Sequence, residues 1–165
     1  MMNKRALATA VAASTLAMAG FAQAEVKVGF LGGFTGGIES LTPPIFEGAQ
    51  LAVEQINEQG GILDGQTLVM PTGDTTCSDA SAASNAADRM VNSENVTAIV
   101  GALCTGATIA AANNAAIPGG VLMVSPASTA PAVSELDDND LVFRTVPSDA
   151  FQGEMLAKLL LEKGI

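Results

Sequence analysis

One stretch of this chain leaves few choices of architecture. Val96-Thr97-Ala98-Ile99-Val100-Gly101 runs straight into Ala102-Leu103-Cys104-Thr105-Gly106-Ala107-Thr108. A short apolar run rich in β-branched residues suits a strand buried on both faces, as in the middle of a parallel sheet. A Gly-containing turn follows, and Thr105 is placed to cap the Ala-rich helix beyond it. Such a strand, turn and helix brings a hydroxyl and free backbone N–H groups together at the positive end of a helix. That is an uncharged device for holding an anion such as a carboxylate.

The same unit recurs along the chain. Apolar runs at 26–31, 66–70, 96–100, 121–124 and 141–145 read as five strands. Between them lie stretches with helical spacing. Thr42-Pro43-Pro44 opens one helix, whose buried stripe is Ile45, Ala49, Ala52, Val53 and Ile56 and whose stop is Gly60-Gly61. Asp79 or Ser78 caps the next, with Ala83, Ala87, Met90 and Val91 on its apolar face. The third begins at Thr105 and stops at Pro118-Gly119-Gly120. Ser148 caps the last, which carries Phe151, Met155 and Leu159 on one face and ends at Gly164. Strands separated by single helices imply right-handed crossovers, so the expected fold class is α/β, a doubly wound, mainly parallel sheet flanked by helices.

The ends and the composition bound the setting. Lys4 and Arg5, an apolar Ala-rich run, and Ala22-Gln23-Ala24 have the form of a secretory signal peptide over 1–24, cleaved after Ala24. No Cys stands near that cut, so no lipid anchor is expected. The expected division is thus a signal peptide at 1–24 and an exported part at 25–165, which the resemblance given below identifies as an N-terminal ligand-binding lobe. All seventeen acidic residues fall in the second part, which repels nucleic acid and anionic lipid. The chain has no His, which excludes a His-based triad and leaves carboxylates as the acid–base groups. Cys77 and Cys104 are the two cysteines, and in an exported chain a disulfide is the leading reading. It closes a loop of about 28 residues, worth roughly 3–4 kcal/mol. A thiol nucleophile or metal pair is the alternative, and it lacks further ligands.

In an open α/β sheet, ligands bind beyond the carboxyl ends of the strands. Three turns at that edge carry hydroxyl residues: Thr35 and Ser40; Thr105 and Thr108; Ser125, Ser128 and Thr129. Each alone is accounted for as a helix cap; three on one edge point to a binding site. The first turn, Gly32-Gly33-Phe34-Thr35-Gly36-Gly37, lacks the spacing of a dinucleotide fingerprint and has no Gly-Lys-Ser/Thr after it. No cofactor and no metal are expected.

Several segments together carry a family resemblance. They are Phe46-Glu47-Gly48-Ala49 leading to Ile56-Asn57-Glu58-Gln59-Gly60-Gly61-Ile62, the Cys77 and Cys104 pair, the run from Leu122-Met123-Val124-Ser125 through Pro126-Ala127-Ser128-Thr129-Ala130-Pro131, and Phe143-Arg144-Thr145 before Gln152-Gly153. In order and spacing the chain resembles the periplasmic solute-binding proteins of branched-chain amino-acid ABC transporters, with the type I periplasmic binding fold. The resemblance implies a two-lobe clamp, of which this chain supplies most of the first lobe and lacks the second. It implies a disulfide between Cys77 and Cys104. It also implies that Thr105 and Thr129 hold a ligand carboxylate, while the Ala127 carbonyl meets its ammonium beside Ser128. Leu41 aligns with an aromatic residue that lines the side-chain pocket, and Thr105 replaces a more usual Ser. The function implied is capture of a small carboxylate solute, an amino acid above all, for an ABC permease in the inner membrane, without chemistry on it. Two rivals are a sensor of the same fold and a periplasmic hydrolase using Asp74, Glu39 or Asp149.

Overall fold

The computed structural model describes residues 25–165, and the leader expected over 1–24 lies outside the described residues. Six strands, β1 (Glu25–Gly32), β2 (Thr67–Val69), β3 (Thr72–Asp74), β4 (Ala98–Gly101), β5 (Leu122–Ser125) and β6 (Val142–Arg144), form one parallel sheet. The path across it is β2-β1-β4-β5-β6, with β3 also on β1. β2 and β3 are one edge strand broken in two. Glu25 pairs with Thr67 and Gly32 with Asp74 in a single register, and the break falls at Met70-Pro71. Proline has no N–H to give the ladder, but its carbonyl still accepts from Phe30 N at 2.8 Å.

Four principal helices connect and follow the strands: α1 (Thr42–Glu58), α2 (Ala80–Asp88), α3 (Thr105–Ala111) and α4 (Asp149–Lys163). α2 continues through a π-helical turn at Arg89–Glu94, and α3 through one at Ala112–Ala116. The core lies between the sheet and the α2/α3 layer. Leu31, Ile99, Met123 and Val142 face Ala83, Ala87, Ala107, Ala111 and Ala115 there. Alanines at the contact let two helices and a sheet approach closely, and Met90 fills the space left beside Gly29 and Gly73.

The other face is more open. The α1 stripe is half-buried where full burial was expected: Ile45, Ala49, Val53 and Ile56 are partly covered and Ala52 is exposed. An apolar cleft of about 300 Å³ separates it from Val28, Leu68 and Val100 on the sheet. A side-chain amide ties α1 to the edge strand. Asn57 Nδ2 donates to Leu68 O and Asn57 Oδ1 accepts from Leu68 N, both at 2.8 Å. This gives the outward-facing groups of the edge strand partners within the chain. The predicted caps Asp79 and Ser148 are in place; Asp79 accepts from Ser81 N at 2.7 Å and Ser148 Oγ from Ala150 N at 3.3 Å. α4 buries none of its side chains, and Phe151, Met155 and Leu159 are exposed.

Candidate functional site

The strand order reverses between β1 and β4, so the turns after these two strands diverge and leave a crevice at the carboxyl edge. The turn after β5 borders the same crevice. Gly101 makes the close approach of β4 to β1 feasible: its φ is +125°, and a Cβ there would collide with the Leu31 carbonyl.

Beneath the rim, three hydroxyls gather around Ala102 O, one from Thr108 in α3 and two from Ser125 and Ser128 at the end of β5 and its turn. Ser125 Oγ lies at 2.6 Å, Thr108 Oγ1 at 3.0 Å and Ser128 Oγ at 3.4 Å, and Thr108 and Ser128 bond to each other at 2.7 Å. Ser125 Oγ also accepts from Ser128 N at 3.0 Å. All three side chains are fully buried. Burying this much polarity is tolerable because every group has a partner. Of the hydroxyl residues expected at the edge, Thr108, Ser125 and Ser128 thus face inward and set the shape of the rim. Arg144 holds the same turn from the outside, donating from Nη1 to Ala130 O at 2.9 Å and from Nη2 to Ser134 Oγ at 2.5 Å.

Thr105, Ala127 and Thr129 are half-buried at the rim. Thr105 and the β5 turn are in direct contact, since Ala130 N donates to Thr105 Oγ1 at 3.4 Å. The capping role expected for Thr105 is not observed. Cys104 occupies the cap with extended geometry and no side-chain cap bond, and Thr105 is the first helical residue. The Cys77–Cys104 disulfide is formed and positions that cap. The first N–H groups of α3 therefore lack a side-chain acceptor from the cap residue. Thr129 Oγ1 donates to Asp149 Oδ2 at 2.9 Å. Leu41, just before α1, is 60% exposed.

Comparison with known proteins agrees with this fold. The family described as "Periplasmic binding protein" matches residues 25–165. The chain belongs to the periplasmic binding protein family. It is 36% identical over 163 residues to the Leu/Ile/Val-binding protein of Citrobacter freundii, covering 99% of this chain and 42% of the relative. The Leu/Ile/Val/Thr-binding protein of Salmonella typhimurium is also 36% identical, with 99% and 43% covered. This chain therefore spans less than half the length of these relatives. Among solved structures, the branched-chain amino acid transporter substrate binding protein LivJ from Streptococcus pneumoniae, in complex with isoleucine, superposes with a TM-score of 0.75 at 32% identity, covering 84% of this chain and 38% of that one. A leucine binding protein, LivK, from Thermotoga maritima gives 0.73 at 32%, covering 84% and 37%.

Within this periplasmic binding fold, Asp74 serves the rim as a clip. Its carboxylate accepts from Phe34 N at 3.0 Å, Thr35 Oγ1 at 2.5 Å and Thr76 N at 2.9 Å, tying the turn after β1 to the end of β3. Read from the sequence, Asp74 is either a catalytic group or a capping carboxylate, and here it accepts N–H and O–H groups as a cap does. The signal lay in its place at a strand end opposite a Gly-rich turn of unpaired N–H groups. Burial works against its charge, yet the Thr35 hydroxyl and the N–H groups of Thr76, Thr35 and Phe34 outweigh it and hold the pKa below the ordinary 3.8. A carboxyl depressed in the folded state stabilises the fold above its unfolded value, and the contribution is lost as pH falls from about 3.8 through the lower folded value. Asp74→Asn is expected to cost about 1–3 kcal/mol at neutral pH. Urea unfolding at stepped pH checks this: the two curves should converge on the acid side of that range.

Proposed function

We propose that this chain is the first lobe of an extracytoplasmic receptor that captures a small amino-acid-type carboxylate for an ABC transporter permease. The observation that carries the reading is the contact between Thr105 and the turn after β5, at the crevice where the strand order reverses. In it, the ligand carboxylate meets the Thr105 hydroxyl, the first N–H groups of α3 and the peptide N–H of Thr129. The Ala127 carbonyl accepts from the ligand ammonium, Leu41 borders the side-chain end, and Ser128 braces the turn from below. A second lobe closes over the solute, and the loss of water strengthens each polar contact.

The names of the relatives, Leu/Ile/Val-binding proteins, and the isoleucine-bound neighbour support an amino-acid ligand. The basic, apolar and small-residue order of 1–24 and the disulfide support export to the periplasm. Among the described residues no helix is long and apolar enough to cross a membrane. Of the carboxylates weighed for hydrolysis, Asp74 and Asp149 are both engaged with neighbouring donors.

Titration calorimetry of the intact protein against the common amino acids, with benzoate and short aliphatic acids alongside, tests the proposal. Saturable one-to-one binding of an amino acid, with the ligand recovered unchanged, is the expected result. No binding across the panel, or turnover of the ligand, would overturn it.

A further inference from the structure

From Ser128 to Ala130, every backbone polar group but one has a partner among the described residues. Ser128 N donates to Ser125 Oγ at 3.0 Å and Ala130 N to Thr105 Oγ1 at 3.4 Å. The Thr129 carbonyl accepts from Asp149 N at 2.9 Å. Those of Ser128 and Ala130 accept from Arg144 Nη1, at 3.4 and 2.9 Å. Thr129 N is the exception, and it sits half-buried at the rim. Arg144 decides where that N–H points. The Ser128–Thr129 peptide bond is trans, so its N–H lies opposite its C=O. With the carbonyl turned outward to Arg144, the N–H is turned to the crevice side.

The charge of Arg144 acts along with its geometry. It forms no ion pair with any described residue, although the chain holds seventeen acidic ones. Its half-buried guanidinium is directed at carbonyl oxygens instead, and Nη2 anchors it on Ser134 Oγ at 2.5 Å. A cation on the Ser128 carbonyl polarises the whole peptide unit, which makes the Thr129 N–H a stronger donor.

We infer that Arg144 is a positioning residue for anion capture. By pinning the carbonyls on either side of Thr129 it aims and strengthens the Thr129 N–H, so a cation that never touches the ligand favours a carboxylate over its neutral amide. The inference rests on the carboxylate reading proposed above. Lysine keeps the charge but is a single point on a flexible stem, and it cannot reproduce the planar fork that reaches two carbonyls and Ser134 together.

Dissociation constants of the intact protein are to be measured by calorimetry for three pairs. They are L-leucine with L-leucinamide, L-phenylalanine with L-phenylalaninamide, and benzoate with benzamide. The natural protein should prefer the acid of a pair. Arg144→Met, which removes the charge and every donor, should reduce that preference roughly tenfold. Arg144→Lys should fall between the two, and Ser134→Ala should lower the preference in the same sense by a smaller factor. A role in holding the fold alone would weaken acid and amide in parallel, and that result overturns the inference. So does an unchanged preference in Arg144→Met. If that variant does not fold, Arg144→Lys and Ser134→Ala carry the test, and an unchanged preference in both overturns the inference. In each of these cases carboxylate capture still stands. A natural protein that binds acid and amide equally, or binds neither, brings down the ligand reading and the inference with it.

Discussion

Replacing both bridge cysteines, Cys77→Ala with Cys104→Ala, is expected to lower the unfolding free energy by about 3–4 kcal/mol. The melting temperature should fall by about 10 °C. The bridge restrains the unfolded chain, and it also joins two strand ends in the fold. Cys77 lies just beyond β3 and packs near Gly33 of the β1 turn, while Cys104 is the cap from which α3 starts. Calorimetric melting of the natural and double-variant proteins measures the difference. A loss under about 1 kcal/mol would mean that Asp74 and the α2/α3 packing already hold the rim without it.

Thr105→Val should weaken ligand binding roughly 10–150-fold, the range for losing a hydrogen bond to a charged group. Valine keeps the volume and removes both the hydroxyl proton, which the proposed function assigns to the ligand carboxylate, and the oxygen that receives Ala130 N. Thr105→Ser keeps the hydroxyl and should recover most of the affinity. Calorimetry on the three proteins decides between them. Equal loss in Thr105→Ser and Thr105→Val would mean that the methyl group, and so packing, is what matters at this position.

Much of this architecture could be read from residue order because parallel strands advertise themselves. The runs at β1, β4 and β5 are largely apolar. β1 and β4 are each followed by an α-helix, whereas β5 leads through a 3-10 turn at Pro131–Glu135 to β6. β3 had no such mark. Thr72-Gly73-Asp74 contains no large apolar side chain, and it is a strand only because β1 continues past Pro71 in the same register. The cap before α3 was misplaced by one residue, since Cys104 is held by the disulfide and Thr105 falls inside the first turn.

Hydroxyl residues do follow β1, β4 and β5, but the directions in which they point are not legible in the sequence. Thr108, Ser125 and Ser128 turn inward to Ala102 O, whereas Thr105 and Thr129 remain at the rim. Which way a serine points in a turn depends on how two strands ten or more residues apart are aligned, and local spacing does not carry that. Asp149 was weighed with the acidic groups for the same reason: its partner, Thr129, lies twenty residues away.

The knot of three hydroxyls on the Ala102 carbonyl has a consequence for how a ligand is received. Two of the turns that border the crevice are fastened to one buried atom before any solute arrives, so the receiving surface is preorganised. The entropy of ordering those turns was lost when the chain folded, and binding does not incur it again. Under the proposed function, ligand-linked movement takes the form of rigid bodies approaching one another, with these turns as a fixed anvil rather than a closing jaw.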